Sequence, residues 1–340
     1  MLYCVLYYVL YCTVQVLSPT HEEAATEILR SLPVTSDRDL PIKLYQIGTK
    51  FRDEMRPKFG LIRANEFTMK DLYTFDKDQE SAEETYTQVT AAYHNIFSRL
   101  GVPWVRVAGE AGAMGGSVSH EYHFPAPIGQ DTLLVCDTCG AGTNKELAAD
   151  LACADTCCSR QMRERRGIEV AHTFLLGDRY SSAMGARYRA QGGGHAHYVM
   201  GCYGIGVSRV LAASLEVSST QTELRWPEAI APFSVAVLAA KEGSKEAAGG
   251  GLLQELCQAL ETIFPDDVIV DDRAKLTVGR KLREARKTGY PFIVLFGKKS
   301  VGSAPVLELH TLATAEVAEL APGELLEHLA RHRAARQPDP

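Results

Sequence analysis

The sequence has no excess of positive charge. Its 36 Lys and Arg face 42 Asp and Glu, a formal net charge of −6. That excludes an overall basic field, so any nucleic-acid contact has to come from a local patch. An apolar run of clear membrane length is also missing. The opening stretch Met1–Leu17 is apolar but slightly short for a span, and Thr13 and Gln15 interrupt it. With no Lys or Arg and no small-residue cleavage site, it does not read as a secretory signal, nor is it an Arg- and Ser-rich transit peptide. Its Tyr, Val and Leu favour a buried strand. Phosphate-cradling glycine loops are absent. No G-x-x-x-x-G-K-[ST] occurs. The run Gly204-Ile-Gly206-Val-Ser-Arg209 has Arg209 where a dinucleotide fingerprint needs its third glycine, and no acidic ribose ligand follows in a βαβ unit.

What is present fits a globular protein with two cores: 340 residues, 46% hydrophobic and 23% charged. The nine cysteines are odd in number, and five crowd between Cys136 and Cys158. This argues for reduced thiols and for a metal rather than a secreted disulfide framework. Cys136-x₂-Cys139 followed by Cys153 and Cys157 resembles a zinc ribbon, although the second spacing is irregular. Plain buried thiols are the competing reading.

The most informative stretch is Lys50–Asp76, KFRDEMRPKFGLIRANEFTMKDLYTFD. It reads as two strands joined by a charged loop carrying Arg56, Pro57, Lys58 and Gly60. Arg52 and Glu54 are expected on one face of the first strand, and Arg63, Glu66 and Phe67 on the second. Arginines take phosphate oxygens in forked geometry and a ring stacks on a base, so the hairpin suits a nucleotide. A solvated, salt-bridged surface hairpin is the plainer alternative.

The run as a whole resembles motif 2 of class II aminoacyl-tRNA synthetases, in the form found in bacterial and mitochondrial prolyl-tRNA synthetases. The likeness extends from about Leu17 to about Lys299. Thr20-His-Glu22 resembles the family loop that holds the proline ammonium, while Thr20 with Glu23 also reads as a capping box for a helix through Leu32. GGSVSHEYHFP, ending at Pro125, resembles a stretch lining the amino-acid pocket and adds Glu121 and His123. GIEVAHTFLLG adds Glu169 and His172. Met200–Arg209 resembles motif 3, a Gly-rich strand running into a helix. There Gly204 and Gly206 leave room for a flat ligand and Arg209 meets the terminal phosphates of ATP.

The resemblance implies proline–tRNA ligation. The proline carboxylate attacks the α-phosphorus of ATP and pyrophosphate leaves. The terminal tRNA hydroxyl then attacks the prolyl-adenylate. In this scheme Arg52 holds the α-phosphate and the amino-acid carboxylate, and Glu54 meets the adenine amino group. Phe67 stacks on the base, Arg63 and Arg209 hold the β- and γ-phosphates, and Mg²⁺ accompanies ATP. The implied partners are L-proline, ATP, tRNA(Pro) and a second copy of the chain, with no membrane. The implied location is the mitochondrial matrix, with cytoplasm as the alternative. The dimer-building motif 1 of the family is not found, so the start reads as truncated or replaced. The short stretch between motif 2 and Gly167 leaves no room for an editing domain.

Between Ser81 and Leu100 a helix is expected, with Ser81 and Glu84 as a capping box. Its apolar stripe would be Tyr86, Val89, Tyr93, Ile96, Phe97 and Leu100, and Gly101 would stop it. The expected fold is an α+β catalytic domain with an antiparallel sheet over 1–225, including a short Cys-bearing insertion at about 130–166. An α/β mixed-sheet anticodon-binding domain is expected over 227–340, after the Trp226-Pro227 boundary. In the second domain, nine Lys or Arg against one acid, Glu284, between Arg273 and Lys299 favour an RNA backbone. Asp272, Arg273, Arg280 and Lys281 are the expected anticodon contacts, and a solvated basic helix face is the alternative. Two rival functions stay in view. One is a non-catalytic synthetase-like binding module; the other is a class II enzyme for threonine, serine, glycine or histidine.

Overall fold

Strand β1 (Cys4–Val5) pairs antiparallel with β2 (Gln15–Val16), and helix α1 (Glu22–Ser31) follows. A computed structural model describes residues 4–5, 15–33, 35–147 and 162–336. Its chain divides into two units, Met1–Val217 and Ser218–Pro340. Among the described residues no helix is long and apolar enough to cross a membrane.

In the first unit the succession is β3 (Ile42–Phe51), β4 (Glu66–Asp76), α2 (Gln79–Leu100), β5 (Val105–Ala108), β6 (Val118–Pro125), β7 (Asp131–Val135), β8 (Gly142–Asn144) and β9 (Arg163–Gly177). Then come α3 (Arg179–Met184), β10 (Arg187–Arg189), β11 (His195–His197), β12 (Val199–Gly206) and α4 (Val207–Ser218). Eight strands form one sheet in the order β3-β4-β12-β9-β6-β5-β8-β7, antiparallel except for the β5–β8 pair. Side-chain alternation gives it two faces. One packs against α2, where Tyr86, Tyr93 and Phe97 meet Tyr122, Phe124 and Tyr203. On the other, Tyr73, Phe75, Phe174, Leu176, Met200 and Cys202 form a core with Ala25 and Leu29 of α1.

Local chemistry sets the helix ends, not always where the sequence pattern puts them. Helix α2 starts two residues before Ser81, because the Asp78 carboxylate accepts from the Ser81 amide at 2.8 Å; the Ser81–Glu84 box does not form. Gly101 ends the helix with φ 76°. Of the expected stripe, Ile96 is 48% exposed while its neighbours are buried. The Thr20–Glu23 box is likewise absent: His21 is the N-cap of α1, and the Thr20 hydroxyl turns to Glu22 instead. In the hairpin, β3 ends at Phe51 and β4 begins at Glu66, so Arg52, Glu54 and Arg63 sit in the connecting loop rather than on strands. The pairing still extends one step, with the Arg52 amide on the Asn65 carbonyl at 2.9 Å.

Cys136 is buried and Cys139 exposed in the turn between β7 and β8. Cys153 and Cys157 lie outside the described residues. Among the described residues no group of three or more His, Cys, Asp or Glu is placed to hold a metal ion, and the zinc reading finds no support there.

The second unit contains β13 (Val235–Leu238), α5 (Gly250–Ile263), β14 (Val268–Asp271), α6 (Val278–Thr288), β15 (Phe292–Leu295), β16 (Leu307–Thr311), β17 (Glu316–Leu320) and α7 (Pro322–Arg336). Its sheet runs β14-β13-β15-β16-β17, with the first three strands parallel and the last two antiparallel. Strands β13 and β15 are apolar at every position because both faces are covered. Val235 and Val237 pack with α5 and α7, while Ala236 and Leu238 pack with α6. The sequence reading missed β17, a half-exposed edge strand, along with α3 and the β10–β11 ribbon.

Gly289 closes α6 at φ 88°, and a Cβ there would lie 2.7 Å from the Leu224 carbonyl oxygen. Gly289→Ala is therefore predicted to destabilise the second unit by about 1–3 kcal/mol, the scale of one strained backbone position. Urea unfolding of the two proteins measures it, and coincident transitions would refute the strain argument.

Candidate active site

Three adjacent strands supply the floor of a cavity of about 280 Å³. Phe67, Met69 and Asp71 of β4 face the same side as Cys202, Gly204 and Gly206 of β12 and His172 and Phe174 of β9. The register places Gly204 opposite both Asp71 and His172. A glycine between a carboxylate and an imidazole leaves the middle of the floor open. A Cβ there would approach no protein atom closer than 3.6 Å, where it meets Met69.

One end of the cavity is acidic. Glu22 is 1% exposed; its Oε2 accepts from the Thr20 hydroxyl at 2.5 Å and its Oε1 from the Cys202 thiol at 3.0 Å. Asp71, also buried, accepts from the Tyr73 hydroxyl at 2.9 Å and pairs with the buried Lys50 ammonium at 3.2 Å. Burial, with Glu22 adding, pushes the Cys202 thiol up. Burial, with Cys202 and Glu22 adding, likewise pushes the Tyr73 phenol up. Both groups therefore stay protonated and donate to the carboxylates.

The wall is His172, stacked on Phe174 at 3.9 Å between centroids. Its Nδ1 lies 2.9 Å from the Glu169 carboxylate and its Nε2 2.5 Å from the Ser119 hydroxyl. Burial alone would raise the Glu169 carboxyl. The His172 hydrogen bond and charge, with Arg209, outweigh it and hold the group at about 2. An ionised Glu169 only accepts, so Nδ1 carries a proton.

The other end is cationic. The Arg52 guanidinium lies over the Phe67 ring, 5.2 Å from its centroid, and donates from Nε to the Pro19 carbonyl at 3.1 Å. Arg209 donates to the carbonyls of Ile62 at 2.8 Å and Glu169 at 2.9 Å. Glu169 and Arg209 also line an adjoining space of about 210 Å³ with Glu54, Arg63, Gln130 and Asp131. There Glu54 and Arg63 form an ion pair. The Arg63 hydrogen bond holds the Glu54 carboxyl below its usual range.

Of the residues picked from sequence, Thr20, Glu22, Arg52, Phe67, Glu169, His172, Gly204, Gly206 and Arg209 line the main cavity. Glu54 and Arg63 line its neighbour. Glu121 and His123 line neither. They face the same side one strand further out, where the His123 Nε2 bonds Glu121 at 2.8 Å and Asn144 donates to the same carboxylate. Sequence reading missed Lys50, Met69, Asp71 and Cys202. The available signal was a carboxylate at the Phe67, Met69, Asp71, Tyr73 spacing, an acid on an otherwise apolar strand face.

In the second unit, Asp272 and Arg273 are exposed beside a cavity of about 340 Å³. The Arg273 guanidinium is already forked onto Asp271 at 2.6 and 2.9 Å and reaches Glu284 at 2.7 Å; Arg280 pairs with the same Glu284 at 3.0 Å. Lys281 corrects the expected set of anticodon contacts. It is fully buried, and its ammonium donates to the Ala239 and Asp271 carbonyls at 2.8 and 2.9 Å. It shares the inward stripe with Val278, Leu282 and Ala285, where its charge saturates two strand-end carbonyls.

Residues 14–218 match the tRNA synthetase class II core domain (G, H, P, S and T), and residues 234–332 match an anticodon binding domain. The chain is 43% identical over 319 residues to a probable mitochondrial proline--tRNA ligase of Rattus norvegicus, covering 92% of this chain and 66% of that protein. It is 40% identical over 306 residues to a proline--tRNA ligase of Anaplasma marginale, covering 84% and 69%. The chain thus spans just under two thirds of the rat relative. In structure it is similar to the Giardia lamblia prolyl-tRNA synthetase solved with prolyl-adenylate, with a TM-score of 0.79 at 20% identity over 98% of this chain and 64% of that one.

Beneath the site, on the α2 face, the Tyr86 hydroxyl bridges the His120 Nδ1 and the Thr173 hydroxyl, each at 2.7 Å. Burial, with Arg106, His172 and His94 adding, pulls the His120 imidazole down to about 4. An unfolded histidine titrates near ~6.5, so the unfolded chain binds the extra proton first. Stability is then predicted to be level above pH ~6.5 and to fall as the pH drops toward ~4, with about one proton taken up on unfolding. Denaturation midpoints of wild type and His120→Asn at pH 7.5 and 5 check it. An equal loss in both would remove His120 as the source.

Proposed function

The chain belongs to the class II tRNA synthetase family, and we propose that it is a proline–tRNA ligase, activating proline with ATP and passing it to the 3′ end of tRNA(Pro). The observation that carries the reading is one cavity with buried carboxylates at one end and anchored arginines at the other. Glu22 and Asp71 suit a small secondary ammonium, which brings two N–H donors. The His172–Phe174 stack and Met69 suit an apolar ring. Arg52, at the cationic end beside Phe67, suits the amino-acid carboxylate and the α-phosphate. Arg209 and Arg63 border the adjoining space, suited to the β- and γ-phosphates, and Phe67 offers a ring to the base.

No enzyme nucleophile is required. The proline carboxylate oxygen bonds to the α-phosphorus as the bond to the bridging oxygen breaks, and pyrophosphate carries off that electron pair. The tRNA hydroxyl then attacks the prolyl carbonyl and AMP leaves. The protein aligns the reactants and stabilises phosphate charge. Mg²⁺ enters as part of the ATP substrate and shares that neutralisation. The anticodon-binding domain supports tRNA as the acceptor, with Asp272, Arg273 and Arg280 as the exposed groups offered to it. The similarity to mitochondrial ligases supports a role in mitochondrial translation.

Proline-dependent exchange of labelled pyrophosphate into ATP is the test, with threonine, alanine and no amino acid as controls. Exchange with proline alone is expected; equal exchange with threonine, or none with proline, would overturn the reading. Arg52→Ala and Arg209→Ala are each predicted to lower kcat/KM for exchange by about 100- to 1000-fold, the scale of losing one charge-stabilising donor. Near-normal exchange by either variant would remove that arginine from the mechanism.

A further inference from the structure

We propose that the β10–β11 ribbon is a contact surface for the sugar–phosphate backbone of the tRNA, outside the cavity and outside the anticodon-binding unit. The inference rests on the tRNA-dependent reading above.

The ribbon has two unlike faces. Its register pairs Arg187 with His197, Tyr188 with Ala196 and Arg189 with His195. Alternation therefore puts both arginines and both histidines on one face and Tyr188 with Ala196 on the other. The second face is fastened down. Tyr188 is 6% exposed, its hydroxyl donates to the Lys77 carbonyl at 2.8 Å, and Tyr188, Ala190 and Ala196 pack in the cluster that includes Phe174 and Cys202 of the cavity. The first face is open: Arg187, Arg189 and His195 are exposed. Among the described residues neither Arg187 nor Arg189 has a side-chain hydrogen bond or ion pair, unlike Arg52, Arg63, Arg209, Arg273 and Arg280.

The surrounding sequence reinforces the asymmetry. From Arg179 to Leu215 the chain has four arginines and no Asp or Glu, although acids make up about one residue in eight of the whole. The turn is Gln191-Gly-Gly-Gly194, with no acid in it. Two guanidiniums unpaired among the described residues, on backbone positions about 7 Å apart along a strand and flanked by imidazole donors, suit repeated phosphates rather than a single carboxylate. The ribbon leads within two residues into β12, which carries Gly204 and Gly206 of the cavity, so an RNA held there is tethered to the strand that builds the site.

The test titrates transcribed tRNA carrying a proline anticodon against the full chain and against Arg187→Glu/Arg189→Glu, at roughly 50 and 200 mM KCl. Pyrophosphate exchange is followed in parallel. The expected result is binding weaker by about tenfold at low salt and a slope of log K against log salt reduced by about 1–2, as for two lost phosphate contacts, with exchange unchanged. Arg187→Lys/Arg189→Lys should keep most of the affinity. Equal affinity and slope in the full chain and the reversal variant would overturn the ribbon alone. Failure of the unsubstituted chain to hold tRNA would overturn the tRNA reading with it. Reversal that abolishes binding to phosphatidylserine vesicles but leaves tRNA binding untouched would assign the face to a membrane and sink the proposal.

Discussion

The pairing of Met69–Asp76 with Val199–Gly206 is the constraint on which the first unit depends. Eight successive residues of β4 face eight of β12 across about 130 residues of sequence. A slip of one residue would turn Asp71 and Tyr73 toward α2 and bring Lys70 and Leu72 onto the cavity floor. The hydrophobic alternation prevents it. Tyr73, Phe75, Met200 and Cys202 need the core on one face, and Tyr203 and Ile205 need α2 on the other. The same register that buries these side chains sets a glycine between Asp71 and His172. Packing and site are therefore one specification, and the cavity is left open by a missing side chain rather than by loose packing.

Charge in that cavity is held by short-range partners. Arg209 is fixed by two backbone carbonyls, Arg52 by the Pro19 carbonyl and the Phe67 ring, and Glu22 by a hydroxyl and a thiol that burial keeps protonated. Such anchoring removes most of the freedom a guanidinium would otherwise lose on meeting an anion, which is the structural meaning of preorganisation. Glu169 links the two ends. It orients His172 on one side and neighbours Arg209 at the cationic end, and His172 and Arg209 together hold it ionised against its desolvation.

The second unit shows why counting basic residues overstates a positive surface. Of the cations in its basic segment, Lys281 is consumed by strand-end carbonyls, Arg273 and Arg280 by Asp271 and Glu284, and Arg286 by Glu223. The β10–β11 ribbon has fewer basic residues and, among the described residues, leaves both of its arginines unpaired. Field strength at a surface follows from which charges lack neighbours, and only packing decides that.

The sequence by itself determined a good deal. The Lys50–Asp76 hairpin, the Gly-rich strand into Arg209 and the alternation of apolar strands and amphipathic helices after Trp226 are local patterns. They were sufficient for the family, for most of the second unit and for nine residues of the main cavity, because strand alternation and glycine spacing are properties of consecutive residues. Helix starts were misread where a neighbouring carboxylate capped the amide in place of the expected hydroxyl, as Asp78 did for Ser81. Tertiary structure alone decided that Asp71 and Cys202 join Glu22 at the acidic end, that Glu121 and His123 close on each other away from it, and that Lys281 faces inward. Each of these depends on which strand lies beside which and on what satisfies a buried polar atom. The Glu22–Cys202 bond spans 180 residues and the Lys281–Ala239 bond 42, so no short window of consecutive residues holds both partners.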